Sequence, residues 1–400
     1  MLSINYAPEL TGIGKYNGEM AAWLVRKGHD VCVVTAPPYY PRWTVADGYS
    51  GVKYQYESIE GVSVWRCPLW VPRIPSGFNR IIHLLSFAIS SFLILVVQGF
   101  RRPDVILVVE PPFFCAPLAW VFARMSRAKC WLHIQDFEVD AAFDLGLLPR
   151  RLKGVVGFFE RLVTARFDRV STISPSMLKR LELKGVDKNK SIYFPNWVDT
   201  EKIYPLVSTS KYRQMLGLKL GSFVALYSGN MGEKQGLEVV IEAASLLNDD
   251  QRFQFVLCGE GAAHSRLKKL AENIANIHWL PLQPLEDLNE LLGLADVHLL
   301  PQRADAEDLV LPSKLTGMMA TGRPIIATAN KGTQIAEIVQ RAGKVVPPDD
   351  SMAFVRALKE LVADSESCRS LGMAGREYAV NNLSQNAVLT AFEHDLRSCI

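Results

Sequence analysis

Along the chain, short β-branched runs alternate with longer stretches in which apolar positions recur every three or four residues. That alternation is the mark of βαβ units and a parallel sheet. In the first half it predicts strands near Val31–Thr35, Val62–Arg66, Val105–Val109, Lys129–Ile134 and Val170–Ile173. Helical patterns lie between them, near Gly14–Lys27, Phe78–Phe100, Leu118–Arg127, Leu152–Arg166 and Pro175–Lys184. A second series starts after Pro205, with strands near Phe223–Tyr227, Phe253–Cys258, Ile277–Leu280, Val297–Pro301, Pro324–Thr328 and Gly343–Val346. The reading is an α/β chain of two doubly wound domains, residues 1–204 and 205–400, with the last helix able to pack back on the first domain. Open parallel sheets bind ligands beyond the carboxyl ends of their strands, so the expected place for chemistry is a cleft between the two.

One segment departs from the alternation. Between Arg80 and Arg101 no residue is formally charged, and at about 1.5 Å per residue the run is long enough to cross a bilayer. His83, Ser86, Ser90, Ser91 and Gln98 interrupt it, and it joins two strands of one expected sheet, which a spanning helix would leave on opposite sides. We therefore expect a helix packed on the sheet, with an outer face suited to a membrane surface. Arg73, Arg80, Arg101 and Arg102 around it would meet anionic headgroups. Leu2–Ile4 is short for the strand that should feed the turn at Gly12, and we expect several residues to be missing from the start.

Composition narrows the class. With 49% hydrophobic and 21% charged residues in 400, the chain is globular and not disordered. Net charge is only +3, which gives no footprint for nucleic acid, but residues 1–205 carry +7 and the remainder −4, so the first half is the one suited to an anionic partner. Seven cysteines without C-x-x-C spacing imply neither a disulfide framework nor a zinc site, and the opening Asn5-Tyr6-Ala7-Pro8-Glu9 is no signal peptide. A reduced, cytoplasmic protein is the expectation.

Several turns between strand and helix are built to approach phosphate. Thr11-Gly12-Ile13-Gly14-Lys15-Tyr16 opens a helix, but it is not a dinucleotide fingerprint, because Asn17 stands where the third glycine belongs. Close packing of helix on strand explains it as well as a ligand does. Ser228-Gly229-Asn230-Met231-Gly232-Glu233-Lys234-Gln235-Gly236 follows a strand and precedes a helix at Leu237, with a lysine just ahead of the helix start. A helix N-terminus and one ammonium make a diphosphate site. Cys258-Gly259-Glu260-Gly261 lies after the next strand, where Gly259 could touch the same ligand. The loop Asp305–Pro312 then enters a helix that Ser313 is suited to cap.

Three segments together resemble the family 4 retaining glycosyltransferases: the joint Phe194-Pro195-Asn196-Trp197-Val198-Asp199-Thr200-Glu201-Lys202-Ile203-Tyr204-Pro205, the loop Ser228–Gly236 with Leu237-Glu238, and Pro312-Ser313-Lys314-Leu315 with Ala320-Thr321-Gly322-Arg323-Pro324. Within that family, Asn5–Tyr16, Ala36-Pro37-Pro38-Tyr39-Tyr40-Pro41 and Leu132–Asp140 look most like enzymes of exopolysaccharide clusters of the colanic acid kind. The resemblance implies a GT-B fold of two facing Rossmann-like domains. It implies transfer of a sugar from a nucleotide sugar to a polyprenyl-diphosphate-linked oligosaccharide, with retention of configuration and no metal or other cofactor. GDP-fucose is the donor we lean to, with a UDP-hexose next, and the place is the cytoplasmic side of the inner membrane, peripherally bound.

Carried over by position, Lys234 would neutralise the diphosphate, Gly229 and Asn230 would approach it through backbone, and Ser313, Lys314 and Leu315 would lie beside the nucleotide. Gly12 and Gly14 would sit near diphosphate and acceptor, and His133 and Asp136 near the donor sugar and acceptor hydroxyl. The chemistry needs little covalent machinery: an oxocarbenium-like transition state, a stabilised leaving diphosphate, and attack from the leaving-group face.

The chain also departs from the family. Leu309 and Gly317 replace the usual pair of glutamates, leaving Glu307, Asp308 or backbone to hold the ribose. Asn230 replaces an arginine, Gln135 a histidine, and the spacing from Gly229 to Lys234 is one residue short, so that Gln235 competes for the lysine's place. Two other readings stay open: a nucleotide-sugar-binding partner of another transferase, and a sugar-nucleotide epimerase or phosphorylase of the same shape.

Overall fold

The computed structural model describes residues 1–10, 12–73, 77–144, 148–304 and 312–400, with only the backbone described at 144, 150 and 234. It divides into two compact units, Met1–Pro195 with Leu389–Ile400, and Asn196–Val388.

The first unit carries β1 (Cys32–Thr35), β2 (Gln55–Ile59), β3 (Val62–Arg66), β4 (Val105–Glu110), β5 (Lys129–Ile134), β6 (Arg169–Thr172) and β7 (Ser191–Tyr193). These form two runs, β1-β3-β2 and β4-β5-β6-β7. Met1–Ile4 stitches the runs into one sheet: Leu2 bridges both Val34 and Val108, its N–H donating to Leu107 O at 2.8 Å while its carbonyl accepts from Val109 N at 2.9 Å. Leu2 and Ile4 are buried, so the segment judged too short for a strand in fact occupies the sheet centre. Only β2 runs antiparallel, against β3.

The segment Gly77–Gly99 is a helix, apolar and long enough to cross a membrane by length and composition. Its inner side, His83, Leu84, Phe87, Ala88, Ser91 and Leu95, is buried. Because β3 before it and β4 after it belong to one sheet, it packs as a layer helix, as expected.

The second unit carries β8 (Phe223–Ser228), β9 (Phe253–Cys258), β10 (Ile277–Leu280), β11 (Val297–Leu300), β12 (Ile325–Thr328) and β13 (Gly343–Val346), all parallel in the order β10-β9-β8-β11-β12-β13. Both faces are covered. One core gathers Leu226, Leu300, Leu315 and Ile325, the other Tyr227, Phe255, Leu299 and Phe354.

The sequence-derived boundary at 204/205 moves upstream. Val198 belongs to the second unit because it pairs with Ser384, donates to Leu383 O at 2.8 Å and accepts from Gln385 N at 2.9 Å. Arg376 adds bonds to the carbonyls of Thr200 (3.0 Å) and Ile203 (2.7 Å). At the other end Leu389–Ile400 joins the first unit, where Phe392 stacks on Phe194 at 4.4 Å and meets Trp131 edge-on at 5.1 Å.

Candidate functional site

In the second sheet the strand order reverses between β8 and β11, and the crevice at their carboxyl ends is where such a sheet takes a ligand. Three segments meet there. The turns after β8 and β9 are laid against each other: Gly229 N donates to Cys258 O (3.0 Å), Met231 N to Glu260 O (2.8 Å) and Ala263 N to Met231 O (2.9 Å). A Cβ on Gly259 would lie 1.9 Å from Gly229 O, and Gly259 has φ +147°, so no side chain fits there. The glycines thus build a flat backbone platform rather than merely a flexible loop.

The third segment is the helix Ser313–Ala320. Its N-cap is Pro312, with no side-chain capping bond, so Ser313 is not the cap that the sequence suggested; it is the first helical residue, and exposed. The N–H groups of Ser313 and Lys314 stand in the first turn, where no helical carbonyl can accept from them. Lys314 holds its ammonium 4.3 Å over the ring of Tyr227, and its Cδ lies 3.5 Å from where a Gly229 Cβ would be. Tyr227 is fully buried and fixed, its hydroxyl donating to Asn230 O. Among the described residues no carboxylate pairs with Lys314, and burial pushes its pKa down to about 7. A half-buried ammonium with no carboxylate partner among the described residues, beside the positive end of a helix dipole, is an arrangement that an anion relieves.

Gly229, Asn230, Gly259, Ser313 and Lys314 therefore come together at one crevice. Leu315 does not face it: its side chain is buried in the core and its N–H donates to Pro312 O at 2.9 Å. Lys234 lies in the short turn Glu233–Gln235, and its side chain falls outside the described residues, as do Glu307, Asp308 and Leu309.

The first sheet reverses between Met1–Ile4 and β4, so the equivalent crevice lies between the Gly12 turn and Glu110, the last residue of β4. Here the protein fills the place itself. Glu9 is buried and accepts from Tyr39 N and Tyr40 N (both 3.0 Å) through Oε1, and from Asn5 Nδ2 (2.9 Å) through Oε2. A Cβ on Gly14 would stand 2.6 Å from Glu9 Oε2, so Gly14 makes room for this carboxylate, not for a ligand. Asn17, the residue that broke the dinucleotide fingerprint, is buried and donates to Ser3 Oγ (2.8 Å) and Asn5 O (3.1 Å). Gly12 keeps an open approach, its nearest neighbour to a Cβ being Tyr40 Cε1 at 3.8 Å.

His133, near the end of β5, is buried against Phe194, with Nδ1 2.9 Å from Ser171 Oγ and Nε2 3.0 Å from Gln135 Nε2. Desolvation holds its pKa down at about 3. Both ring nitrogens are engaged and the imidazole is held neutral, so the residue fixes its strand end in place. Asp136 is exposed just beyond it. Beside Asp136 stands Glu138, whose Oε2 accepts from Phe113 N at 2.6 Å and whose pKa burial raises to about 7, against the pull of that N–H and of Arg80. Glu110 is fully buried, its pKa pushed well up by burial and by Glu138, and its Oε1 has no hydrogen-bond partner. The sequence reading missed Tyr227, Glu9, Glu110 and Glu138. The available signals were a tyrosine late in the apolar run of β8, and a carboxylate ending the apolar run of β4 ahead of two prolines.

Two Rossmann-like units, the second with a phosphate-suited crevice, are the architecture of the GT-B fold, which the solved glycosyltransferase neighbours share. Residues 11–197 match the glycosyl transferase 4-like domain and residues 208–378 the glycosyl transferases group 1. The chain belongs to the family 4 glycosyltransferases and is an enzyme of that kind. It is 42% identical, over 98% of its own length and 98% of the relative's, to WcaI of Escherichia coli K12, a candidate colanic acid biosynthesis glycosyl transferase. Among solved structures it resembles sucrose-phosphate synthase from Thermosynechococcus elongatus (TM-score 0.75, 17% identity, 99% and 97% of the two chains). It also resembles Anabaena Alr3699/HepE in complex with UDP-glucose (TM-score 0.68, 15% identity, 99% of each chain).

Proposed function

We propose that this transferase moves a sugar from a nucleotide sugar to a polyprenyl-diphosphate-linked oligosaccharide in exopolysaccharide assembly, with retention, at the cytoplasmic face of the membrane. The observation that carries the donor half is the Lys314 ammonium above Tyr227, without a carboxylate partner among the described residues, at the start of a helix whose N-cap supplies no side-chain bond. The likeness to WcaI supports the exopolysaccharide setting, and a structural relative complexed with UDP-glucose supports a nucleotide-sugar donor. GDP-fucose remains the first donor to test and UDP-hexoses the next.

In this scheme the diphosphate lies on the Gly229–Gly259 platform. Lys314 and the Ser313 and Lys314 N–H groups gain interaction energy as negative charge builds on the leaving oxygen. Such stabilisation lowers the barrier only because it is stronger in the transition state than in the ground state. The leaving phosphate takes the acceptor proton, so no protein base is needed, and Asp136 at the end of β5 orients the acceptor hydroxyl. Lys234 is a second cation on the same leaving group. The test is mass spectrometry of lipid-linked acceptors in membranes after incubation with a panel of GDP-, UDP- and dTDP-sugars. A mass gain with one donor, lowered about 100-fold in rate in Lys314→Met, is expected. An unchanged rate in that variant would remove Lys314 from the site; no gain with any donor, despite nucleotide binding, would favour a binding partner over a transferase.

A further inference from the structure

The first unit holds a second concavity, unrelated to the nucleotide crevice. It is a half-open groove of about 820 Å³ between the outer face of the helix Gly77–Gly99 (Ile89, Phe92, Leu93) and the chain on either side of β3 (Val52, Tyr54, Trp70). That volume is within the range of about 300–1,000 Å³ typical of ligand pockets. Among the described residues its three lining hydroxyls are already engaged. Tyr54 Oη donates to Ser90 O (2.8 Å), Ser90 Oγ to Pro68 O (2.6 Å), and Ser86 Oγ to His83 O (2.7 Å) while accepting from Trp70 N (3.1 Å). With those hydroxyls engaged, the groove offers a ligand mostly apolar contact area. A peptide, a sugar or a nucleotide would bury its own polar groups there without partners, which costs free energy; a hydrocarbon would not.

The groove also has a direction. Its helix exposes an apolar stripe at Phe78, Ile82, Leu85, Ile89, Leu93, Val97 and Phe100, with the i, i+3, i+4 spacing of one helix face. The chain leaves the groove wall at Val71 and reaches the exposed Arg73 two residues on, and Arg80 stands exposed in the first turn of the helix. Arg80 acts electrostatically on Glu138, next to Asp136. Apolar stripe and cation thus lie along one helix, with the Glu138 carboxylate within electrostatic reach of the cation.

We propose that this groove binds the polyisoprenyl chain of the lipid-linked acceptor, with Arg73 and Arg80 against its diphosphate and the sugar end toward Asp136. The inference rests on the acceptor class proposed above. It assigns the helix a ligand, beyond a general affinity for membranes.

The test uses the full chain and geranylgeranyl diphosphate in solution, below its micellar concentration, read by quenching of Trp70, with Trp70→Phe as the blank. Inorganic diphosphate is the headgroup control. Ile89 and Leu93 are 72% and 58% exposed, so the double variant I89E/L93E is not expected to unfold the chain. Saturable binding of the prenyl compound, weakened at least tenfold in I89E/L93E with inorganic diphosphate unaffected, is the expected result. Equal affinity in the variant would overturn the site. So would loss of sedimentation with phosphatidylglycerol vesicles while prenyl binding persists, which would assign the groove to bulk lipid. Binding of GDP or UDP, measured alongside, separates the two readings: if nucleotide binding and sugar transfer survive while prenyl binding fails, the groove falls and the transferase stands.

Discussion

The two units wind the same way and open a crevice at the same point, yet they treat charge there in opposite ways. In the second, backbone glycines clear a surface and Lys314 is left without a counter-ion among the described residues. In the first, Glu9 lies against Gly14 at the mouth of the helix Gly12–Arg26, and Glu110 and Glu138 line the neighbouring strand ends. A helix N-terminus attracts anions in both. The first unit places its own carboxylate beside that terminus, and among the described residues the second places none. The same topology therefore holds an internal anchor in one unit and the proposed phosphate site in the other. Which is which follows from one residue in each, a glutamate ahead of the first helix and a lysine in the first turn of Ser313–Ala320.

The sharpest way to break the contrast is to remove the platform. Gly259→Ala puts a Cβ 1.9 Å from Gly229 O, and backbone, unlike a flexible side chain, must move to admit it. We expect a loss of about 3 kcal/mol in stability, measured by denaturant unfolding, together with loss of nucleotide binding by calorimetry. Gly12→Ala is the matched control: a Cβ there has 3.8 Å of clearance, and only the φ of +60° resists it. Its cost should be nearer about 1 kcal/mol. Equal losses would mean that the two turns are equivalent after all.

A smaller effect, of opposite sign in the two units, is expected from pH. Burial lowers the Lys314 pKa from 10.5 to about 7. Below pH 7 the folded protein carries the full cost of burying the ammonium. That cost fades as pH rises toward 10.5, so this group makes stability increase with pH across that window. Glu138 is raised from 4.5 to about 7 by burial, with Arg80 and the Phe113 N–H pulling it down and Asp136 pushing it up. Its cost is absent below pH 4.5 and complete above 7, so it makes stability decrease with pH in between. Lys314→Met should therefore raise the melting temperature most at pH 6, and Glu138→Gln most at pH 8. Shifts of this size cap the gains at about 5 kcal/mol for Lys314 and about 3 kcal/mol for Glu138, and relaxation of the site brings each down to about 2 kcal/mol. Gains independent of pH would show that neither group is desolvated as described. A stabilised Lys314→Met that no longer transfers sugar would identify the lysine as held for function at the expense of folding.

Much of this architecture can be read from the sequence, for a physical reason. β3, β5, β9, β10 and β13 begin and end where the apolar runs do, because strands of a covered parallel sheet are hydrophobic on both faces. β2 escapes the pattern: Gln55–Ile59 is an edge strand whose side chains are all at least partly exposed, so nothing apolar marks it. The turns proposed to hold phosphate are legible as glycines between strand and helix. What the pattern cannot supply is the partner of each charge. Lys314 reads as an ordinary surface lysine until its place over Tyr227 is known. Glu9 reads as a loop acid until Gly14 is seen to make room for it. His133, expected near the donor sugar, turns out to be held by Ser171 and Gln135, and no local signal separates a held histidine from a free one.

Ser313 tests the finest part of the comparison with the smallest effect. The sequence suggests a capping serine, whose replacement by alanine typically costs about 1 kcal/mol. In the structure Pro312 is the N-cap, the Ser313 side chain is exposed, and only its carbonyl is used, accepting from Thr316 Oγ1 at 2.8 Å. Ser313→Ala should therefore leave thermal stability within about 0.5 kcal/mol of wild type. If the hydroxyl reaches the diphosphate, the same variant weakens nucleotide binding a few-fold while stability stays fixed. If it does not, both stay fixed, and the phosphate is held by the Ser313 and Lys314 N–H groups and the Lys314 ammonium alone. A clear drop in stability would instead restore the serine as a cap and make the second crevice, like the first, satisfied by its own side chains.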